Sequence, residues 1–350
     1  LLYKNSKEER DMYTIIDYLN YYKDTTLKHL KLNTQDFLIF SILSYLPIDS
    51  FTNSKNLTEL IKYATKYKER TKSSNTIKTA YQLLKIMASS RRYQDLKVEK
   101  FIQEEDNTTQ FGAVTFALGK NTIIAFNGSN HSFIAWMENI RLLYQYPTIT
   151  QQKAIQYLKE NITKESDNVY VVGHSKGGNL AMVSTMELPS QLLKKVKKIY
   201  NFDGPGLLKE EYTSKYLKIK KKLITVIPSN SMIGILLHND NFKVIKSKNH
   251  LIETHYPSSW CIFGEFFLEE NLKVFSNQLH NYTTITLEKI DRGLLESTME
   301  TLFQELIHEN TDDISFETLK ERLKRAKDID HGVYRYLNTL LTSLITINKK

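Results

Sequence analysis

The residues best suited to chemistry lie in Gly173-His-Ser-Lys-Gly177, where a serine stands between two glycines in the spacing G-x-S-x-G. In this spacing a serine can occupy a strained turn between a strand and a helix, with its hydroxyl exposed above the edge of a sheet. The run VYVV before it favours a strand, and the run GNLAM after it favours a helix. We therefore predict that Ser175 is a nucleophile. The alternative is a serine in a structural, glycine-rich turn.

A serine nucleophile needs a base, and in this motif the chain order is serine, acid, histidine. Six histidines follow Ser175, and His255 lies in the irregular, aromatic segment ETHYPSSWCIFG soon after the last predicted strand. We predict His255 as the base, with His250 nearby as the alternative. His308 and His331 fall in a helical region, where we expect them at the surface.

The acid of such a triad should follow a strand between the serine and the histidine. Asp203 ends the predicted strand KKIYNF and precedes Gly-Pro-Gly, which turns the chain at the sheet edge where ligand sites of open α/β sheets lie. An aspartate that only caps its own turn is the alternative. The next strand, KLITVI, is followed by Pro-Ser-Asn-Ser without a carboxylate, and Asp240 is a weaker candidate.

Two backbone N–H groups should stabilise the oxyanion in this motif. One is the amide of Lys176, directly after the nucleophile, and the other comes from an earlier loop between a strand and a helix. The segment IIAFNGSNHSF supplies such a loop, so we predict the amide of Gly128 or Ser129 as the second donor.

The composition is that of a globular protein with a sizeable core: 350 residues, 41% hydrophobic and 25% charged. The net charge of +9 comes from lysines spread along the chain, and no nucleic-acid motif accompanies it. We expect no nucleic-acid partner, and peripheral contact with an anionic membrane stays open. The single cysteine, Cys261, fits a reducing cytoplasm. The N-terminal residues lack the apolar core of a signal peptide, although a start at leucine leaves a lost leader open. Because no run of 18 apolar residues is present, we expect no membrane span.

The coarse element pattern predicts an α/β fold with a mostly parallel central sheet flanked by helices. Residues 1–91 are predicted helical and packed on the core, and strands alternate with helices over 92–275. In residues 276–350, apolar residues from Phe316 to Leu344 follow helical spacing. We expect them to pack on the body of the protein, with a dimerising seam as the alternative.

Four segments together resemble a known family: VVGHSKGGNLAM, NFDGPG, VIPSNSMIG and THYPSSW. They resemble the uncharacterised bacterial Mbeg-like group of the α/β-hydrolase superfamily, which is related to the class-3 lipases. The resemblance runs from about residue 33 to about 307. It implies the α/β-hydrolase fold, with Ser175 as nucleophile and Asp203 and His255 as matching polar positions.

The segment AFNGSNHSFIAWMENI resembles the "FRGT" loop on the oxyanion side of these lipases. Here the sequence departs from the family, with Asn127 where an arginine is usual and Asn130 where an aspartate is frequent. Asparagine is shorter than arginine and has fewer donors. We therefore expect a less rigidly placed loop and an Asn127→Arg variant at least as active as the parent.

Together these features predict a serine hydrolase that cleaves a carboxylic ester, either an acyl lipid or a similar small apolar ester. The triad is Ser175, His255 and Asp203, and the chemistry needs no metal or organic cofactor. The alternative is a catalytically weak or inactive hydrolase-fold protein that binds a ligand or partner. The altered oxyanion loop and the missing carboxylate after KLITVI favour that alternative.

Overall fold

The computed structural model describes residues 13–47, 57, 59–62, 74–106, 108–130, 132–308, 316–325 and 329–348. Its centre is a seven-stranded sheet whose strands neighbour one another in chain order. The strands are β1 Lys97–Glu105, β2 Gln110–Leu118, β3 Asn121–Phe126, β4 Asn168–His174, β5 Val196–Phe202, β6 Leu223–Pro228 and β7 Lys243–Ile245. Strands β3 to β7 are parallel, whereas β1, β2 and β3 form an antiparallel meander.

The edge strand β1 was not predicted as a separate strand. Most of its side chains are exposed and charged, so it lacks the alternation of apolar and polar residues that marks a half-buried strand. Its pairing with β2 is interrupted by an irregularity between Val98 and Lys100. Strands β2 and β3, by contrast, contain the short β-rich runs GAVTFAL and NTIIAF, and the intervening GKN is a typical hairpin turn.

Helices cover both faces of the sheet. They are α1 Ile15–Tyr22, α2 Thr34–Leu43, α3 Asn75–Met87, α4 Phe133–Arg141, α5 Ile149–Asn161, α6 Lys176–Met186, α7 Ser190–Leu193, α8 Ser214–Lys220, α9 Val274–Leu287, α10 Arg292–His308, α11 Phe316–Arg325 and α12 His331–Asn348. A small hairpin, β8 Ile262–Phe263 with β9 Phe266–Phe267, lies before α9. Among the described residues, no helix is both long enough and apolar enough to cross a membrane.

Two apolar clusters fill the space between the sheet and its helices. Helices α1, α2 and α3 pack on one face, and α5, α6 and α8 pack on the other. Strand β3 shows the alternation that divides them, since Ile123 and Ala125 face the first cluster and Ile124 and Phe126 face the second. A mostly parallel sheet covered on both faces, with Ser175 in the turn from β4 to α6, is the α/β-hydrolase fold, as the sequence predicted.

A third apolar cluster joins the C-terminal helices to the loops at the carboxyl end of the sheet. It includes residues that follow β3, β5 and β6 along the chain, such as Met137, Leu208 and Ile235. From the C-terminal helices it buries part of the predicted apolar stripe, namely Leu319, Leu323, Val333, Leu337 and Leu340. These residues therefore pack on the body of the protein. Ala326 and the side chains of Phe316 and Leu344 lie outside the described residues.

Candidate active site

Ser175 occupies a strained turn at the centre of the sheet. Strand β4 ends at His174, helix α6 begins at Lys176, and the serine between them has φ 58° and ψ −135°. Among the described residues, three other than glycine have a positive φ, and two of these are the candidate site residues Ser175 and Asp203. Backbone strain of this kind concentrates at functional sites because the surrounding packing must hold it in place.

The glycines of the motif allow α6 to lie directly against the strands. A Cβ added at Gly173 would lie 2.1 Å from the Gly177 carbonyl oxygen, and one at Gly177 would lie 2.2 Å from the Phe126 carbonyl oxygen. Both obstacles are backbone atoms, which cannot swing aside as a side chain can. Any larger residue at these two positions would push α6 away from β3 and β4 and would move Ser175 with it.

His255 and Asp203 meet at the carboxyl end of the sheet. Asp203 follows β5, and His255 ends a short 3₁₀ helix, Leu251–His255. The distance between His255 Nδ1 and Asp203 Oδ2 is 2.6 Å, with the Asp203 side chain fully buried and that of His255 17% exposed. The buried carboxylate therefore receives one ring N–H and leaves the other ring nitrogen of His255 for a different partner.

Ser231 and Gly234 bind the second oxygen of the Asp203 carboxylate. The Ser231 hydroxyl donates to Oδ1, and the Gly234 amide donates to the same oxygen across 3.1 Å. Ser231 lies in the segment after β6, within VIPSNSMIG, which resembles the family and lacks a carboxylate. This segment supplies a hydrogen-bond donor to Asp203, and the spacing of the sequence gave no signal of it.

The structure separates the other candidates from this pair. Asp240 accepts a hydrogen bond from the Tyr216 hydroxyl and pairs with Lys220 Nζ at 2.6 Å. His250 and His331 are exposed, and the side chain of His308 lies outside the described residues.

Ser175 lies beside the pair without a hydrogen bond to it in the described part of the chain. Its side chain is largely buried, and the ring of the preceding His174 lies 4.5 Å from that of His255, centroid to centroid. In unliganded sites, catalytic hydrogen bonds are often long and tighten only when substrate binds.

The loop after β3 passes immediately beside Ser175. A Cβ added at Gly128 would lie 2.9 Å from Ser175 Cβ and 2.0 Å from the Tyr45 hydroxyl oxygen. The amide of Lys176 is at the start of α6, where helical N–H groups have no partner within the helix. The candidate donors Gly128 and Lys176 are thus on two sides of the serine. Ser129 follows Gly128, and its hydroxyl is bound by Asn139 Nδ2 at 2.9 Å.

The Lys176 side chain is turned away, toward the start of strand β2. Its ammonium donates to the Gln110 carbonyl oxygen at 2.6 Å and to Gln110 Oε1 at 3.1 Å, and the side chain is buried. Burial lowers the pKa of Lys176 to about 8, because desolvation disfavours its charged form. Only the backbone of this residue faces the candidate oxyanion position.

Asn127 and Asn130, the two residues that depart from the family pattern, lie in different surroundings. Asn127 is buried, and its amide group lies so close to Gly112 that a Cβ there would be 2.4 Å from Asn127 Nδ2. Asn130 instead anchors the loop, because Nδ2 donates to Glu105 at 2.9 Å and Oδ1 accepts from the Ser132 amide at 3.1 Å. The loop is therefore held by Asn130, and the space around Asn127 is small.

Sequence reasoning missed two further residues at this site, Tyr45 and the ring of His174. Tyr45 Oη lies 2.9 Å from His174 Nδ1, and His174 Nε2 lies 2.8 Å from the carbonyl oxygen of His255. His174 stands inside the motif, but nothing in its spacing indicates a partner. Tyr45 comes from the end of α2, far from the motif along the chain, and gave no local signal.

No three His, Cys, Asp or Glu side chains gather as metal ligands among the described residues. The fold and the serine turn define a protein of the α/β-hydrolase fold. The model of the Mbeg1-like family matches residues 87–304, and the chain belongs to this family.

Solved structures similar to this chain include fungal lipases. The lipase from Rhizopus microsporus var. chinensis is 14% identical, with 62% of this chain and 75% of that chain covered and a TM-score of 0.40. The Rhizomucor miehei lipase in its propeptide complex is also 14% identical, with 61% and 70% covered and a TM-score of 0.39. No curated protein matches the chain.

Proposed function

We propose that this protein is a serine hydrolase that cleaves a carboxylic ester through Ser175, His255 and Asp203. The observation that carries the proposal is the 2.6 Å contact between His255 Nδ1 and the buried Asp203 carboxylate, beside the strained turn of Ser175. A carboxylate at Nδ1 fixes the ring so that Nε2 can accept a proton.

In the first half of the reaction, Ser175 Oγ attacks the ester carbonyl carbon while its proton passes to His255 Nε2. Asp203 stabilises the imidazolium, and collapse of the tetrahedral intermediate breaks the C–O bond to the alcohol. His255 gives its proton to the departing alkoxide oxygen, which leaves an acyl group on Ser175. Water then attacks the acyl group with the same base, and Ser175 is restored as the acid product leaves.

The negative oxygen of each tetrahedral intermediate would accept hydrogen bonds from the Lys176 amide and from Gly128 or Ser129. Each such donor contributes on the order of 3 kcal/mol to catalysis. The close approach of Gly128 to Ser175 supports this role.

We propose an acyl lipid or a similar small apolar ester as the substrate and the reducing cytoplasm as the compartment. The assignment to the cytoplasm rests on the single cysteine of the chain, which excludes an internal disulfide. The net charge of +9 supports peripheral contact with an anionic membrane.

A second candidate function is binding of a ligand or partner without turnover. The lack of a hydrogen bond between Ser175 and His255 in the described part of the chain favours it, because an activated serine needs its base. Fold alone does not decide between the two functions.

A fluorophosphonate probe separates them, because an activated Ser175 Oγ displaces fluoride from phosphorus rapidly. We expect the parent to label and to hydrolyse a short-chain activated ester, and Ser175→Ala to lose both, with kcat lower by about 10⁴–10⁶-fold. Ser184→Ala is the matched control, since Ser184 is a buried serine in α6, the helix that follows Ser175, and its hydroxyl donates to the Ala181 carbonyl of that helix. A parent that neither labels nor exceeds Ser175→Ala in hydrolysis would establish the binding function instead.

A further inference from the structure

The chain Tyr45–His174–His255 joins the end of helix α2 to the backbone of the candidate catalytic histidine. His174 is 1% exposed and lies between the Tyr45 hydroxyl on Nδ1 and the His255 carbonyl oxygen on Nε2. The mechanism proposed above does not use either Tyr45 or His174.

The partners of His174 fix its protonation. A carbonyl oxygen can only accept, so His174 Nε2 must carry the proton that it shares with His255. In the neutral ring, Nδ1 is then an acceptor, and the Tyr45 hydroxyl donates to it at 2.9 Å, the shorter of its two contacts with His174, since the His174 carbonyl oxygen lies at 3.2 Å. Burial keeps the pKa of His174 well below its ordinary value, so the doubly protonated ring is disfavoured.

The Trp260 ring N–H binds the Thr254 carbonyl group, which comes directly before that of His255 in the chain. Trp260 Nε1 donates to the Thr254 carbonyl oxygen at 2.7 Å, and the Trp260 ring is fully buried 6.1 Å from that of His174. Two consecutive carbonyl groups, those of Thr254 and His255, are therefore held by ring donors. The direction in which the His255 side chain leaves the backbone is fixed by these two bonds.

The Tyr45 hydroxyl also supports the loop on the other side of Ser175. A Cβ added at Gly128 would lie 2.0 Å from this hydroxyl oxygen and 2.8 Å from the His174 carbonyl oxygen. One hydroxyl thus contacts the loop after β3 and, through His174, the segment that carries His255.

We propose that His174 is a positioning residue for His255 and that Tyr45 holds His174 in the tautomer this role requires. The inference rests on the proposed function, because it deepens the assignment of His255 as the base. Loss of either bond lets the His255 backbone shift relative to Ser175 Oγ, and a misplacement of about 1 Å can reduce catalysis by about 10²-fold.

The test uses the full chain with Tyr45→Phe, His174→Phe and His174→Gln, of which the last keeps an N–H near the Nε2 position. Tyr157→Phe is the matched control, because it removes a buried tyrosine hydroxyl that bonds Thr115 at 3.0 Å away from the site. We expect Tyr45→Phe and His174→Phe to lower kcat about 10–100-fold with little change in KM. His174→Gln should recover part of the loss, and Tyr157→Phe should match the parent in kcat.

A second readout needs no substrate. The His255 Nδ1–H proton in its short bond to Asp203 should give a far-downfield ¹H resonance in the parent, identified by its loss in His255→Gln. We expect it to broaden or shift in Tyr45→Phe and His174→Phe but not in Tyr157→Phe. This readout still tests the positioning role if the parent proves inactive, so failure of the proposed function and failure of this inference remain distinguishable.

Parent-like kcat and an unshifted resonance in Tyr45→Phe would overturn the proposal. So would equal effects of Tyr45→Phe and Tyr157→Phe on kcat, because the loss would then reflect general destabilisation. If His174→Phe does not fold, Tyr45→Phe decides, since it keeps the ring and removes only the hydroxyl.

Discussion

At the scale of single residues, the site depends on close contacts that leave little room for substitution. Asn127 is the clearest case, because its buried amide packs on Gly112 and its Oδ1 has no hydrogen-bond partner in the described part of the chain. From the family pattern alone, the Asn127→Arg variant is expected to be at least as active as the parent. The burial of Asn127 reverses that expectation, since a longer charged side chain must displace β2 or lose its hydration.

Asn127→Arg is therefore predicted to lower the free energy of unfolding by about 1–3 kcal/mol through overpacking, with esterase activity falling as well. Urea unfolding of parent and variant measures the stability change. Asn271→Arg is the control, because Asn271 is exposed. An Asn127→Arg protein as stable and as active as the parent would contradict the burial argument and restore the family-based expectation.

Lys176 makes stability depend on pH in a defined direction. Its pKa is about 8 in the folded protein against an ordinary 10.5, so the unfolded chain holds the extra proton between these values. Folding is therefore penalised below pH 8, and the penalty is relieved as pH rises toward 10.5.

The stability of the parent relative to Lys176→Met should consequently rise by roughly 2–3 kcal/mol between pH 8 and pH 10. Urea unfolding at pH 7, 8, 9 and 10 measures this difference, and the paired comparison removes the effect of tyrosines common to both proteins. Lys243→Met controls for removal of an exposed lysine. A flat difference across this window would mean that Lys176 stays charged in the folded state.

At the scale of elements, the turn from β4 into α6 fixes the position of Ser175, the proposed nucleophile. Gly177→Ala would place a Cβ 2.2 Å from the Phe126 carbonyl oxygen, so β3 and α6 must separate. We predict that the free energy of unfolding falls by about 1–3 kcal/mol and that fluorophosphonate labels Ser175 more slowly.

Gly293→Ala is the control for that substitution. Gly293 lies in the first turn of α10, where the nearest atom to a new Cβ is Asp291 Oδ1 at 3.2 Å, and alanine favours helix. Thermal unfolding of both variants measures the contrast. Equal stability of Gly177→Ala and the parent would show that the turn from β4 into α6 has more room than these distances allow.

The C-terminal helices pack on the loops at the carboxyl end of the sheet through polar contacts as well as apolar ones. Arg141, at the end of α4, makes two 2.8 Å bonds to the Glu300 carboxylate on α10, and Tyr144 donates to that carboxylate at 2.8 Å. His280 Nδ1 lies 2.6 Å from the Ile235 carbonyl oxygen in the segment after β6. These helices therefore help to hold the loops around the candidate site.

Local patterns explain which parts of this arrangement the sequence could predict. The central strands and the turn at Ser175 could be predicted because β-branched runs and glycine spacing are properties of neighbouring residues. The contacts of Ser231 and Tyr45 could not, since each side chain bonds a residue that is distant along the chain and local spacing does not indicate such a contact. Strand β1 was missed for a related reason: an exposed edge strand lacks a buried face, and so the alternation on which strand prediction depends is weak.

At the scale of the whole molecule, a buried ion pair joins the N-terminal helices to the start of the sheet. Asp36 on α2 accepts from Arg92 Nε at 2.9 Å and Nη2 at 2.6 Å, and both side chains are fully buried. Arg92 also donates to the carbonyl oxygens of Thr25, Leu30 and Lys31, which fixes the loop between α1 and α2.

Asp36→Asn should destabilise the protein by about 3–5 kcal/mol, because it leaves the Arg92 guanidinium buried without its counter-charge. Glu269→Gln is the control, since it breaks the exposed pair with Lys243 and should cost at most about 1 kcal/mol. Denaturant unfolding of both variants makes the comparison. Similar small losses in the two would mean that Arg92 is satisfied by its three carbonyl partners alone.

The uneven edge strand β1 has a consequence for how this protein behaves at high concentration. A free sheet edge offers unpaired backbone groups to which a second chain can add a strand, and this is a common route to aggregation. Along β1 the exposed side chains include Lys97, Glu99, Lys100, Glu104 and Glu105, and its pairing with β2 shifts register between Val98 and Lys100. A second chain that paired with β1 would have to bury these charges and match an irregular register. The same exposed charges that make β1 hard to predict from the sequence therefore also oppose self-association at this edge.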